Sequence, residues 1–353
     1  AEDWRESESF YTLCDVFAGN FSENFDTTPT GSTSNNTFPY CWNYLDEISS
    51  TGYGFVEATT TNALSKPNAY KLYRTNNANN EDQNVVLISP ETLDLGNGTK
   101  QLRFSVKATS ATANNKLEIV TSDGVTSTDN FTVLTTLSIS NTAYKEYIIP
   151  IAATSDDFFG FRLIHNGETS ASTIYLDDIY FEDASACIYP IGLVATNITT
   201  TTATITWNPS IGSGVVGYEY EIRTSGDAGS GATGFVTSGT TATTSVALTG
   251  LVASETYYVY VRSTCGASIG DWTLIPIRFN TLCTVQVGNF SEDFEAALKG
   301  SASNNTFPLC WSYVDEISST GYGFVDIANV KNGKQSYRLY RTNTTANEDQ
   351  NVV

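Results

Sequence analysis

The sequence predicts an all-β protein made of β-sandwich domains in tandem, and three observations carry that prediction. Charged residues make up only 16% of the 353, Thr, Ser, Asn and Gly are plentiful, and Tyr and Phe number 20 and 18, a mix that suits strands and turns better than helices. Apolar residues recur with a period of two, as in Leu102, Phe104 and Val106, and no stretch repeats at the helical period. The chain also repeats itself. Cys14, Gly19-Asn20-Phe21-Ser22-Glu23, Phe38-Pro39, Cys41-Trp42 and Asp46 to Val56 return 269 positions later, as Cys283, Gly288-Asn289-Phe290-Ser291-Glu292, Phe307-Pro308, Cys310-Trp311 and Asp315 to Val325. Tyr70 to Val86 returns as Tyr337 to Val353 after a two-residue deletion. Solenoid repeats run about 20–50 residues, so a period this long is a duplicated domain pair.

Taken in chain order, Asp3-Trp4 to Leu13 matches Asp271-Trp272 to Leu282, so residues 1–13 read as the final strand of a preceding copy of the module that ends at 282. Residues 14–186 form the first full domain. Its strands are expected around Val86-Leu87-Ile88, Leu102–Val106, Leu117 and Ile119, Phe131-Thr132-Val133-Leu134, Phe159–Leu163 and Tyr175–Ile179. Residues 187–282 form the second, with strands at Thr202–Trp207, Val216–Arg223, Ser245–Leu251 and Thr256–Ser263 and glycine-rich breaks at 212–214 and 226–234. Alternation places Tyr257, Val259 and Val261 on one face. Residues 283–353 are the N-terminal half of a second copy of the first domain. Both ends then fall inside domains, and the chain reads as a window on a longer array.

The formal net charge of −20 argues against nucleic acid, which needs clustered Lys and Arg, and against anionic lipid. It suits solubility and divalent cations. No apolar run approaches the roughly 20 residues of a membrane span, and no direct membrane insertion is expected of this segment. Cys14 and Cys41 are 27 apart, as are Cys283 and Cys310, which leaves Cys187 and Cys265. The simplest pairing is Cys14–Cys41, Cys187–Cys265 and Cys283–Cys310; a rival, Cys265–Cys283, would join two final strands of the middle domain. Without a CxxC or a Cys/His cluster, zinc is not expected. Disulfides imply an oxidising, extracellular setting.

In the middle domain, Trp207 on an early strand, Leu251 six residues before Tyr257, and the Tyr-x-Val-x-Val run resemble a fibronectin type III domain. That resemblance implies a core role for Trp207, a corner tyrosine whose hydroxyl bonds upstream backbone at Tyr257, and a spacer role for the module. No Arg-Gly-Asp occurs to support integrin binding. In residues 14–186, Glu23-Asn24-Phe25-Asp26, Phe38-Pro39-Tyr40-Cys41-Trp42, Val86-Leu87-Ile88-Ser89-Pro90, Phe131-Thr132-Val133-Leu134 and Tyr175-Leu176-Asp177-Asp178-Ile179 follow in that order. They resemble jelly-roll adhesin domains related to the MAM fold, including the "choice-of-anchor J" type of secreted Bacteroidota proteins. Val85-Val86 stands where that family often carries Asp-Trp.

The resemblance implies a calcium-stabilised jelly roll in which acidic side chains of the first strand meet an Asp of the last. Carried over, the candidate Ca²⁺ ligands are Glu23, Asp26 and Asp177, with Asp178 as alternate; in the second copy Glu292 and Glu295 match the first two. Oxygen-only ligands suit Ca²⁺ in the extracellular affinity range.

Catalysis is poorly supported. His165 is the only histidine and shares a strand face with Phe159, Phe161 and Leu163, the place of an edge-of-core residue. No Gly-x-Ser-x-Gly elbow is present. Asp156 and Asp157 are adjacent, so on a strand they face opposite ways, which fits solvent exposure better than a glycosidase pair. The unchanged block Asp46–Phe55 and Asp315–Phe324 would suit a glycan- or partner-binding loop, and Trp42, Tyr44 and Tyr53 could stack on sugars; a recent duplication would preserve it as well, and Trp42 beside a half-cystine reads as core. Asn20, Asn35, Asn97, Asn130 and Asn197 head Asn-x-Ser/Thr sequons, and Asp26-Thr27-Thr28 resembles a Bacteroidota O-glycosylation sequon.

These readings converge on a fragment of a large, secreted, repetitive cell-surface adhesin or filament protein without catalytic activity. Its expected partners are neighbouring repeats of the same chain, surface glycans or partner-cell proteins, and its attachment is multivalent. A glycan-binding accessory region of a polysaccharide-degrading enzyme is the first alternative. A purely structural filament subunit is the second.

Overall fold

The computed structural model describes residues 14–46, 52–75, 84–111, 115–126, 131–164, 171–284, 291–295, 297–308, 310–314 and 321–341. The strand expected at 1–13 and His165 lie outside the described residues. Among the described ones there is no α-helix, only a single 3₁₀ turn at Leu95–Asn97. The fold is all-β.

The first sandwich uses eleven strands. They are β1 (Phe21–Glu23), β2 (Asn43–Asp46), β3 (Gly52–Ala58), β4 (Asn68–Arg74), β5 (Val85–Ile88), β6 (Lys100–Ala108), β7 (Asn115–Ser122), β8 (Thr132–Ile139), β9 (Lys145–Ile151), β10 (Phe158–Ile164) and β11 (Ser172–Asp183). One antiparallel sheet runs β3-β4-β11-β6-β9, with β1 also on β11; the other runs β2-β5-β10-β7-β8. The chain changes sheet repeatedly, so the two inner faces interdigitate into one core. Alternation decides which residues enter it. Leu102, Phe104 and Val106 of β6, Leu117 and Ile119 of β7, and Phe159, Phe161 and Leu163 of β10 are all fully buried. Phe159 stacks on Phe181 at 5.8 Å and meets Trp42 edge-on at 5.8 Å. Each such ring contributes about 1.5–3 kcal/mol on burial. Trp42 is therefore core. All four residues of β5 are buried, which is why Val85-Val86 offers no surface.

The second sandwich comprises β12 (Val194–Thr196), β13 (Ala203–Thr206), β14 (Gly217–Arg223), β15 (Phe235–Thr241), β16 (Ser245–Leu248), β17 (Thr256–Cys265), β18 (Ser268–Ile269) and β19 (Ile277–Asn280). One sheet is β12-β13-β16; the other is β15-β14-β17-β18, with β19 on β17. Trp207, Tyr257, Val259 and Val261 are buried, and the Tyr257 hydroxyl accepts the Val252 N–H at 2.8 Å. Both expectations for these residues hold. The glycine-rich break is more ordered than its composition suggests. Arg223 donates to Glu221 and to the carbonyls of Ser225, Gly231 and Thr233, so one buried guanidinium shapes the loop before β15.

The three disulfides are Cys14–Cys41, Cys187–Cys265 and Cys283–Cys310, so the rival Cys265–Cys283 pairing is not formed. By chain entropy, each 27-residue loop should contribute about 3–4 kcal/mol.

In the second copy, β20 (Gly321–Asp326) and β21 (Ser336–Arg341) rebuild the β3–β4 hairpin. Tyr53 pairs with Tyr73 and stacks at 4.5 Å; Tyr322 pairs with Tyr340 and stacks at 4.7 Å. The outer edge is covered the same way in both. Asn36 Oδ1 and Thr37 Oγ1 accept from Gly54 and Val56, as Asn305 Oδ1 and Thr306 Oγ1 accept from Gly323 and Val325. Trp311 is 45% exposed where Trp42 is 4%.

One expectation is corrected here. Asp156 is buried rather than solvent-exposed: it precedes β10 and accepts the Thr121 hydroxyl at 2.5 Å, while Asp157 is exposed.

Candidate functional site

The acidic residues singled out by the sequence meet where three strands come together. Along one side of β11, β4 pairs as far as Leu176↔Tyr70 and β1 takes over at Ile179↔Glu23. On the other side, β6 pairs with β11 throughout, but the register shifts between Asp177 and Tyr180. The cause is visible in the apolar residues. Ile174 and Leu176 point inward, then Ile179 and Phe181 do, all fully buried. Their parity changes, so the strand must hold one extra residue. In an unbroken strand Asp178 would share the inward parity of Leu176. The bulge, with Asp178 at φ +48, keeps that carboxylate out of the core.

The bulge separates the two neighbouring aspartates. Asp177 is buried beneath the 59–67 segment and accepts from the Leu64 N–H at 2.7 Å, the Ser65 hydroxyl at 3.0 Å and the Asp178 N–H at 2.8 Å. Burial pushes its carboxyl up to about 7, against the Leu64 hydrogen bond and with help from the charge of Asp178. Asp178 instead lines an open polar cleft of about 250 Å³ with Ser22, Glu23, Asn24, Thr27 and Tyr180. Burial also raises the Glu23 carboxyl, opposed by the Phe25 and Asn24 N–H groups. Glu23 Oε1 accepts from Phe25, which holds φ +64.

Asp26 faces a different task. Its Oδ1 accepts the Asn68 N–H at 3.1 Å, and Asn68 Nδ2 returns bonds to the carbonyls of Phe25 at 2.9 Å and Asp26 at 3.3 Å. This clamp fixes the turn after β1 to the start of β4. The second copy builds it from longer side chains: Glu295 Oε1 accepts the Gln335 N–H at 2.9 Å, and Gln335 Nε2 donates to the Phe294 and Glu295 carbonyls at 3.1 and 3.0 Å. Asp26 and Glu295 are matching positions, as are Asn68 and Gln335. Both partners lengthened together. On the outer face of the hairpin both partners change in opposite senses: the Glu57–Lys71 pair at 3.0 Å becomes Asp326–Arg338 at 3.6 Å, the acid shorter and the base longer.

The four predicted ligands therefore do not converge. Glu23 and Asp178 share the cleft, Asp177 is spent on the 59–67 segment, and Asp26 on Asn68. Among the described residues no group of three or more His, Cys, Asp or Glu is placed to hold a metal. What the cleft offers a hard cation or a hydroxyl-rich ligand is two carboxylates with the oxygens of Ser22, Asn24 and Thr27. Of the aromatic candidates, Trp42 is core, Tyr44 lays its ring edge against Gly54 with its hydroxyl buried, and Tyr53 is stacked on Tyr73. Asn68 was missed by the sequence reading, although its paired change with Asp26 is readable in the repeat.

Residues 189–276 match the family model described as the fibronectin type III domain. Among curated proteins the chain is 36% identical over 142 residues to endoglucanase B of Cellulomonas fimi, a match that takes in 37% of this chain and 13% of that protein. Among solved structures it is similar to the K2 cleaved adhesin domain of Lys-gingipain, with 15% identity over 46% of this chain and 99% of that one and a TM-score of 0.37. The K1 cleaved adhesin domain of Lys-gingipain from Porphyromonas gingivalis W83 gives 18% identity over 47% of this chain and 99% of that one, with a TM-score of 0.35. The glycoside hydrolase domain of Endo-D from Streptococcus pneumoniae R6 gives 12% identity over 74% and 43%, with a TM-score of 0.33. Likeness at these scores carries no functional argument.

Proposed function

We propose that this chain is part of a secreted, non-catalytic, multidomain attachment protein of the cell surface, in which MAM-like jelly rolls alternate with fibronectin type III spacers. The observation that carries the reading is the doubled framework. The same disulfide, turn, clamp and hairpin recur with the 269-residue period and its two-residue deletion, and side-chain pairs that differ between copies differ together. An array of this kind gains avidity from repeated weak sites without any single deep pocket. Disulfides support an extracellular location. Calcium enters this proposal as a stabiliser held at Glu23 and Asp178, the two carboxylates that share the cleft.

A second reading is favoured by one specific observation, the 36% identity to part of an endoglucanase. In it the chain is the accessory region of a polysaccharide-degrading enzyme. Retention of the chain on a panel of insoluble and immobilised polysaccharides, β-glucans included, separates the two. The attachment reading expects weak, multivalent retention on intact cell surfaces and none selective for one polysaccharide. Tight, selective retention on a glucan would replace it with the accessory reading.

A further inference from the structure

Lys107, in β6, is 9% exposed and has no carboxylate within ion-pair distance among the described residues. This sets it apart from the buried Lys100, which pairs with Asp183, and the half-buried Lys71, which pairs with Glu57. Its Nζ instead lies 5.1 Å from the centre of the Tyr144 ring and 5.6 Å from that of Tyr175. It donates to the Thr61 carbonyl and to Asn62 Oδ1, each at 3.1 Å. Burial lowers its pKa, so a larger share of the amine is neutral than on a solvated lysine.

Asn62 is held from several sides. Its backbone carbonyl accepts the Tyr144 hydroxyl at 2.6 Å. Its side-chain amide is the smallest of the influences that lower the Glu57 carboxyl. Burial works to raise the Glu57 carboxyl, but the Tyr175 hydroxyl at 2.7 Å and Lys71 at 3.0 Å outweigh it and keep it ionised. A desolvated amine, an immobilised carboxamide and a carboxylate are thus packed together under two aromatic rings.

We propose that Lys107 and Asn62 form an intramolecular amide cross-link that ties the 59–67 segment to β6. As Nζ gives up a proton its lone pair attacks Cγ of Asn62. The Nζ–Cγ bond forms, the Cγ–Nδ2 bond breaks, and the nitrogen leaves as ammonia, carrying the proton the lysine released; Glu57 is the proton carrier beside the leaving amide. Nothing is oxidised or reduced, and no co-reactant is needed. Fixed proximity supplies the driving geometry, since well-oriented intramolecular groups react as if at very high concentration. The chain holds its own contrast. Lys100 Nζ lies 2.8 Å from Asn20 Oδ1, but there the carboxylate partner, Asp183, is 73% exposed and held below its ordinary range by Lys100, so the site is a hydrated ion pair. The inference does not depend on the attachment reading, because the bond is read directly.

The test is the intact mass of the full chain after reduction of its disulfides, followed by sequencing of proteolytic fragments. The expected result is a mass one ammonia below that of the sequence, with a branched peptide joining the Asn62 and Lys107 segments. Lys107→Arg and Asn62→Ser should both restore the sequence mass. An unmodified wild-type mass overturns the proposal whether or not any variant folds. So does a loss that persists in Lys107→Arg, or that maps to imide formation at Asn97-Gly98, Asn166-Gly167 or Asn332-Gly333 or to a Lys100–Asn20 bond.

Discussion

The two copies contain a double mutant that has already been made, and reproducing it in the first copy tests how the junction of β1 and β4 is held. The perturbations are Asp26→Glu, Asn68→Gln and both together. Asn68 is 5% exposed beside the fully buried Phe25, and three hydrogen bonds of 2.9–3.3 Å cross this contact. Lengthening one partner by a methylene overpacks a closed site and misaligns at least one of those bonds, at a cost of about 1–3 kcal/mol. Lengthening both recovers the geometry seen at Glu295 and Gln335. The expected coupling energy is about 1–2 kcal/mol in favour of the double variant. In a domain of this size each kcal/mol moves Tm by about 2–4 °C, so calorimetry of the full chain resolves the cycle. If the double variant loses the sum of the two single losses, the clamp is not a coupled unit, and the joint substitution in the second copy has no structural cause.

Other consequences follow from the same geometry. Calcium at Glu23 and Asp178 predicts that a chelator lowers Tm by a few degrees, equivalent to about 1–2 kcal/mol at millimolar metal; Asp178→Asn should abolish the shift and Asp26→Asn should leave it, and no shift in the wild type removes calcium from the account. Glu182 is held below its ordinary range, first by the Arg103 guanidinium at 2.9 and 3.0 Å and, to a lesser degree, by Gln101. A depressed acid stabilises above its unfolded pKa of about 4.3 and loses that contribution as pH falls through the lower folded value. Urea midpoints between pH 6 and pH 2 should therefore fall more steeply in the wild type than in Glu182→Gln, by about 1 kcal/mol for a partly exposed pair; parallel curves would refute it. Tyr257→Phe leaves the Val252 N–H without its acceptor and should cost about 1–2 kcal/mol in the second sandwich, read as a drop in its calorimetric Tm.

The strands were legible in the sequence where one face is buried, because alternation at Leu102, Phe104 and Val106 or at Phe159, Phe161 and Leu163 has no other stable explanation. The disulfides were legible because the repeat removes four cysteines from the choice. The site was legible only in part. The sequence offers Asp177 and Asp178 as alternates for one position, but a bulge gives them opposite duties, and its trace in the sequence is the parity change from Leu176 to Ile179. Asp26 reads as a ligand in the sequence because a single carboxylate does not reveal its partner; Asn68 is 42 residues away, and only the matched change to Glu295 and Gln335 exposes the pair. Strand β15, Phe235–Thr241, shows no alternation because most of it is exposed on both faces, and it is ordered at the loop before it by Arg223, a contact no periodicity encodes.

The central claim is that attachment comes from repetition rather than from one strong site. It is tested most directly by measuring binding of this chain, and of two such chains joined head to tail, to the same intact cell surface. The account predicts weak binding by one chain and an apparent affinity higher by about 10²-fold or more for the joined pair. Equal affinity per chain, or tight saturable binding by the single chain, would contradict it.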